Sequence, residues 1–172
     1  QHRVVLGLQD TTELYFDGKA TRGLGPLSYE AQRGMYLHPT YAVTPARVPL
    51  GVIDAWMWAR EFKDEAGERG GMCESVRWIE GYERVAEQAR QVPLTRLVYV
   101  ADREGDIVGL MRRARDLGEP ADWLIRSRHD RSLGKGAAKL SVALQQRPVL
   151  GEVEFTLAAR QGVKVRRVRQ EL

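Results

Sequence analysis

Leu97-Val98-Tyr99-Val100-Ala101-Asp102-Arg103-Glu104-Gly105-Asp106 is the stretch that decides the fold. An unbroken apolar run with two valines reads as a strand buried on both faces. The acidic residues begin where that run stops, so Asp102 stands where a buried strand meets a loop. A second junction of the same kind lies near the start of the chain, where Val4-Val5-Leu6-Gly7-Leu8 runs into Gln9-Asp10-Thr11-Thr12. A carboxylate at such a junction is held by stiff backbone yet open to solvent. Two of them on neighbouring strands can share divalent cations, and shared cations are how many enzymes cut phosphodiesters. Mg²⁺ and Mn²⁺ take oxygen ligands, so aspartates suit them.

Working outward from these junctions, Arg3 to Leu8 predicts a first strand and Gly18 to Gly34, with its glycines and Pro26, an irregular loop. Gly34 to Thr44 and Pro49 to Ala59 predict two further strands, joined closely enough to form an antiparallel hairpin. Glu61 to Gly71 reads as an exposed loop. A helix follows from a Ser75 cap to about Gln91, with Trp78, Tyr82, Val85, Ala86 and Ala89 at helical spacing and Pro93 ending it. Arg96 to Ala101 is the fourth strand. Asp106 reads as the cap of a second helix, whose stripe is Ile107, Leu110, Met111, Ala114 and Leu117 and whose stop is Gly118. Trp123 to Arg126 predicts a fifth strand, Lys139 to Gln146 a short helix, and Gly151 to Leu157 with Val163 to Val168 a pair of strands turning near Gln161-Gly162.

An antiparallel start followed by strand–helix units implies an α/β fold, a mixed central sheet with flanking helices. That order is the pattern of the ribonuclease H-like fold, which carries one acidic residue on its first strand and another at the end of its fourth. The expected organisation is a core over residues 1–148, incomplete, and the start of a β-rich insertion over residues 149–172.

Composition narrows the setting. The chain has 172 residues, 43% of them apolar, enough for a real core, and 29% charged, which argues against wholesale disorder. Cys73 is the single cysteine, so no intrachain disulfide forms and a reducing, cytoplasmic location is expected. No apolar run long enough for a membrane helix is present and no signal peptide is read. The chain opens at Gln1 already heading into a strand and stops in strand-like sequence, so it is expected to be part of a larger protein. Charge is unevenly spread: residues 1–125 hold 16 Lys/Arg against 19 Asp/Glu, a net −3, and residues 126–172 hold 11 against 4, a net +7. The basic third suggests a polyanionic partner, although a solvated surface explains such charge as well.

With both aspartates and that order, the chain resembles the bacterial cut-and-paste DDE transposases of the transposon-five type, in the insertion-sequence-four group. The resemblance rests on Gln9-Asp10-Thr11-Thr12, on Ala101-Asp102-Arg103-Glu104-Gly105-Asp106-Ile107, and on Ile125-Arg126-Ser127-Arg128-His129-Asp130-Arg131. Gly23-Leu24-Gly25-Pro26-Leu27 and Leu37-His38-Pro39-Thr40 fit the intervening pattern. It implies metal-dependent DNA strand cleavage and strand transfer by in-line phosphoryl transfer, with Asp10 and Asp102 catalytic and holding Mg²⁺ or Mn²⁺, two ions in the complete site. It implies double-stranded DNA as partner, at transposon ends and at the target, and a homodimer on DNA. Arg103, Arg126, Arg128, His129, Arg131 and Lys135 are the expected DNA contacts. The family's third carboxylate, a glutamate in a Y-x-x-R-x-x-x-E string, has no counterpart here; Glu152, Glu154 and Glu171 are poor substitutes, and the piece alone is expected to be inactive. A non-catalytic nucleic-acid-binding module of the same fold and a stand-alone nuclease remain alternatives.

Each residue also has a plainer reading. Asp10 suits a turn, Asp102 a surface pair with Arg103, and Asp106 a helix cap. Arg126 and Arg128 are expected to share one strand face and to clamp phosphate, as arginine's fork allows. Lys139, Lys164, Arg166, Arg167 and Arg169 read as diffuse backbone contacts. His38 has no carboxylate to orient it in sequence and reads as structural, the tryptophans Trp56, Trp58 and Trp78 as packing, and Cys73 has no assigned role. Thr11 and Thr12 are candidates to bond a phosphate or Asp10 itself.

Overall fold

The computed structural model describes residues 2–18 and 22–172. The expected loop over 18–34 includes residues 19–21, which lie outside the described residues. Contacts divide the chain into two compact units, residues 1–128 and 129–172. The expected boundary stood at 148/149; within residues 129–148, Ser132 is bridged to Lys139, Leu140 N–H donates to Arg131 C=O, and Ser141 donates to Asp130.

The first unit is a mixed α/β structure built on a seven-stranded sheet. Its strands are β1 (Val4–Gln9), β2 (Thr12–Tyr15), β3 (Gly25–Pro26), β4 (Arg33–Val43), β5 (Pro49–Trp58), β6 (Arg96–Ala101) and β7 (Asp122–Ile125). The path runs β2-β4-β1-β6-β7, with β3 and β5 also paired to β4. β1, β6 and β7 are parallel, whereas β4 is antiparallel to β1, β2, β3 and β5. The β4–β5 hairpin therefore forms as expected. Neither β2 nor β3 was expected. Both are short, β3 being only Gly25-Pro26, and β2 is held by cross-strand partners in β4 rather than by a buried alternating pattern of its own.

Alternation places every second strand residue against two helices, α1 (Ser75–Gln91) and α2 (Val108–Asp116). Val5 of β1, Ala42 of β4, and Leu97, Tyr99 and Ala101 of β6 meet Trp78, Tyr82, Val85, Ala86 and Ala89 of α1 and Leu110 and Ala114 of α2. Tyr82 and Tyr99 are fully buried and meet edge to face, 5.8 Å between centroids. Burying one such side chain contributes about 1.5–3 kcal/mol, and the aromatic geometry adds about 0.5–1.5 kcal/mol. On the opposite sheet face Val4, Leu6, Leu8, Val98 and Val100 are only half-buried.

Two caps differ from expectation. Glu74, not Ser75, is the N-cap of α1 and makes no side-chain cap bond, while the Ser75 hydroxyl lies 3.0 Å from Cys73 Sγ. Asp106 does not cap α2 either. A 3₁₀ turn over Arg103–Gly105 comes first, Asp106 closes it, and Ile107 is the N-cap of α2 without a side-chain bond. The Asp106 carboxylate instead accepts Arg128 N–H at 2.8 Å. The helix stops follow the sequence: Val92 precedes Pro93, and Gly118 takes φ +79°.

The second unit contains α3 (Leu140–Gln145) and an antiparallel pair, β8 (Glu152–Leu157) with β9 (Arg166–Glu171). The second strand starts later than Val163, because Arg160 and Val163 close a tight turn with Gly162 at φ +76°. Alternation puts Val153, Phe155, Leu157 and Val168 on one face of the hairpin. The other face carries ion pairs, Arg167 with Glu154 and Arg169 with Glu152.

Candidate metal and phosphate site

The site is set by register. In the parallel pairing of β1 with β6, Gln9 stands beside Ala101, and in that of β6 with β7, Ala101 stands beside Ile125. Asp10, Asp102 and Arg126 are therefore the next residues along three adjacent strands, at one edge of the sheet, with neighbouring strands about 4.8 Å apart. Arg126 N–H still donates to Ala101 C=O at 3.2 Å, so the row holds one residue past the strand end.

Both carboxylates are exposed, and each is oriented by its own turn. Asp10 Oδ1 accepts Thr11 N–H at 2.8 Å, and Asp102 Oδ1 accepts Glu104 N–H at 2.7 Å. No ion pair among the described residues engages either one. The expected pairing of Asp102 with Arg103 is thus not among them. Beside Asp10 opens a cleft of about 320 Å³ lined by Thr11, Glu13, His38, Glu74 and Glu104 among others. Ser28 donates to Glu13 and holds its carboxyl below the usual range, and Arg60 pairs with Glu74 at 2.6 Å. Trp58, also on the wall, has a buried indole N–H without a partner among the described residues. No group of three or more His, Cys, Asp or Glu side chains placed to hold a metal occurs among the described residues. The donors at this edge are two hard carboxylates, a set that suits Mg²⁺ or Mn²⁺.

Beneath Asp10 the strand end is pinned from inside. Gln9 is 5% exposed; its Oε1 accepts the Tyr99 hydroxyl, and its Nε2 donates to Arg77 C=O at 3.3 Å. Tyr99 OH also reaches Trp78 C=O at 3.2 Å. Gly81 of α1 makes room for this side chain, since a Cβ there would lie 2.0 Å from Gln9 Oε1. None of this was read from the sequence, where Gln9 is a polar residue at a strand end. Only the sheet register puts it on the helix-covered face.

His38 was read as structural and is indeed buried, at 3% exposure, between Trp58 and Trp78. It nevertheless lines the Asp10 cleft, in phase with Tyr36, Thr40 and Ala42 on the inner face of β4. Burial, reinforced by the Arg77 charge, lowers its pKa, so the imidazole is neutral near neutral pH. Between the ordinary value and this lowered one the unfolded chain binds the extra proton. Stability therefore falls as pH drops below about 6.5. The melting temperature is expected to decline as pH falls below about 6.5, and a His38→Asn variant is expected to lose that part of the decline. An identical pH profile in the variant would remove His38 as its source.

The expected DNA contacts fall in both units. Arg103 is exposed in the turn after Asp102, and Arg126 and Arg128 are exposed beyond β7. The strand ends at Ile125, so the shared strand face expected for the two arginines is not formed. Their placement comes from the ladder bond of Arg126 and the Asp106 bond of Arg128. His129, Arg131 and Lys135 belong to the second unit. There, Arg167 and Arg169 are held by glutamates, which reduces the free positive charge expected of the hairpin.

No protein-family model and no curated protein matches this chain.

Proposed function

We propose that this chain is the catalytic-core portion of a DDE DNA transposase of ribonuclease H-like fold, with Asp10 and Asp102 as two of its metal-binding carboxylates. The observation that carries the reading is the parallel register Gln9↔Ala101 and Ala101↔Ile125, which sets two carboxylates, neither in an ion pair among the described residues, and an arginine side by side at one sheet edge. Mixed strand order, with β4 antiparallel to β1 and β6 parallel to it, supports the fold assignment. Bound Mg²⁺ or Mn²⁺ supplies Lewis acidity for in-line phosphoryl transfer.

The chain's own residues do the rest. Asp10 and Asp102 hold the ion, their Oδ1 atoms fixed by backbone N–H groups of the following turns. Arg126, and Arg128 close behind it, bind the phosphates of double-stranded DNA, which is the partner. The third carboxylate, the homodimer on DNA and the bacterial cytoplasm belong to the same proposal.

DNA binding tests the phosphate half of this reading. Arg126→Ala or Arg128→Ala should weaken binding to duplex DNA whatever its sequence. Each should also lower the slope of log K against log salt by about 1. Titrations at several salt concentrations measure this, and a slope equal to the parent's in both variants would exclude phosphate contact.

A further inference from the structure

The Thr11 hydroxyl lies 3.4 Å from Nδ1 and 3.3 Å from Nε2 of His38. Asp10 reaches Thr11 through a different atom, its Oδ1 accepting the Thr11 backbone N–H. Thr11 thus links a carboxylate at the rim of the cleft to an imidazole on its wall. A hydroxyl both donates and accepts, so the contact survives either imidazole tautomer. His38 cannot readily move. It is 3% exposed, its ring is edge-on to Trp78 at 5.7 Å and tilted against Trp58 at 6.4 Å, and it sits within β4 with β5 on one side. Asp10 and Thr11, between the end of β1 at Gln9 and the start of β2 at Thr12, lie outside both strand ladders, and Asp10 itself is exposed.

We infer that His38 is a positioning residue for the metal-binding carboxylate, acting through the Thr11 hydroxyl to hold Asp10 at the edge it shares with Asp102. This rests on the metal reading above and adds a residue to it. The imidazole touches no metal and no phosphate. It confines the backbone of residues 10 and 11, so the Asp10 carboxylate reaches the ion without first paying to be ordered. Partners of this outer kind typically change metal affinity by about 10–100-fold.

The test is Mn²⁺ binding to the chain, by calorimetry or by water-proton relaxation. Thr11→Val keeps the shape of the side chain and removes the hydroxyl at a half-exposed site, so the fold should stand. We expect its Mn²⁺ dissociation constant to rise about tenfold, with the melting temperature near the parent's, and Thr11→Ser to restore the parent's affinity. In a His38→Phe background the Thr11→Val change should have no further effect, as two members of one linkage behave in a double-mutant cycle. An additive Thr11→Val effect in that background overturns the His38 role, and His38→Leu serves as the background if His38→Phe fails to fold. Unchanged affinity in Thr11→Val, or an affinity loss that Thr11→Ser does not restore, overturns the positioning role. If Asp10→Asn weakens binding while Thr11→Val does not, only this inference fails. If the parent binds no Mn²⁺, both it and the metal reading fail.

Discussion

Asp102→Asn is expected to weaken Mn²⁺ binding by more than the roughly 10–100-fold that loss of an outer partner causes, and Asp10→Asn by a similar factor. The asparagine Oδ1 still accepts a backbone N–H. The turn at Glu104, or at Thr11, therefore keeps the hydrogen bond that shapes it. What disappears is one of two negative charges on adjacent strands. With no metal present, that removal relieves repulsion and leaves stability within about 0.5 kcal/mol of the parent, as for other exposed substitutions. The diagnostic pair is thus an affinity that collapses and a melting temperature that does not. In a complete protein the same variants should lose strand cleavage and retain DNA binding. Parent-like Mn²⁺ affinity in both variants would end the assignment of this edge as a metal site.

The second large effect is steric. Gly81→Ala would place a Cβ 2.0 Å from Gln9 Oε1 and 2.4 Å from Gln9 Cδ. The glutamine side chain cannot swing out, because it is buried and bonded to Tyr99 and to Arg77 C=O. Overpacking of this kind costs about 1–3 kcal/mol. Displacing Gln9 would also cost the buried Tyr99 hydroxyl its bond to Gln9 Oε1, about 1 kcal/mol more, leaving it Trp78 C=O at 3.2 Å. Against this stands the helix propensity of alanine over glycine, about 1 kcal/mol in favour of the variant. The steric effect wins. Urea unfolding should show a lowered midpoint with an unchanged m-value. The same substitution in a Gln9→Ala background should cost much less, since the atoms it meets are gone. A Gly81→Ala variant as stable as the parent would show that the strand end below Asp10 is looser than its contacts indicate.

How far the sequence alone reaches is clearest at β6, β1 and α1. Their continuous apolar runs and helical spacing are local signals, strong enough to set element type, approximate bounds and the strand-to-loop position of Asp10 and Asp102. Where a residue's role depends on a distant partner, the local signal misleads. Asp106 has the look of a helix cap, yet its carboxylate goes to Arg128 N–H, 22 positions away. Arg167 and Arg169 read as free positive charge until β8 brings Glu154 and Glu152 opposite them. β2 gives little sign of itself because an edge strand of four residues borrows its stability from β4.

By itself, then, the amino-acid order determined an α/β protein with two carboxylates at strand ends and a basic final third, because periodicity and strand termini are properties of neighbouring residues. Tertiary structure alone decided that β1, β6 and β7 lie parallel and in step, that Gln9 and His38 stand behind Asp10, and which arginines are already paired. Those are matters of register between strands far apart in the chain. A shift of one residue would turn each of these side chains to the other face of the sheet.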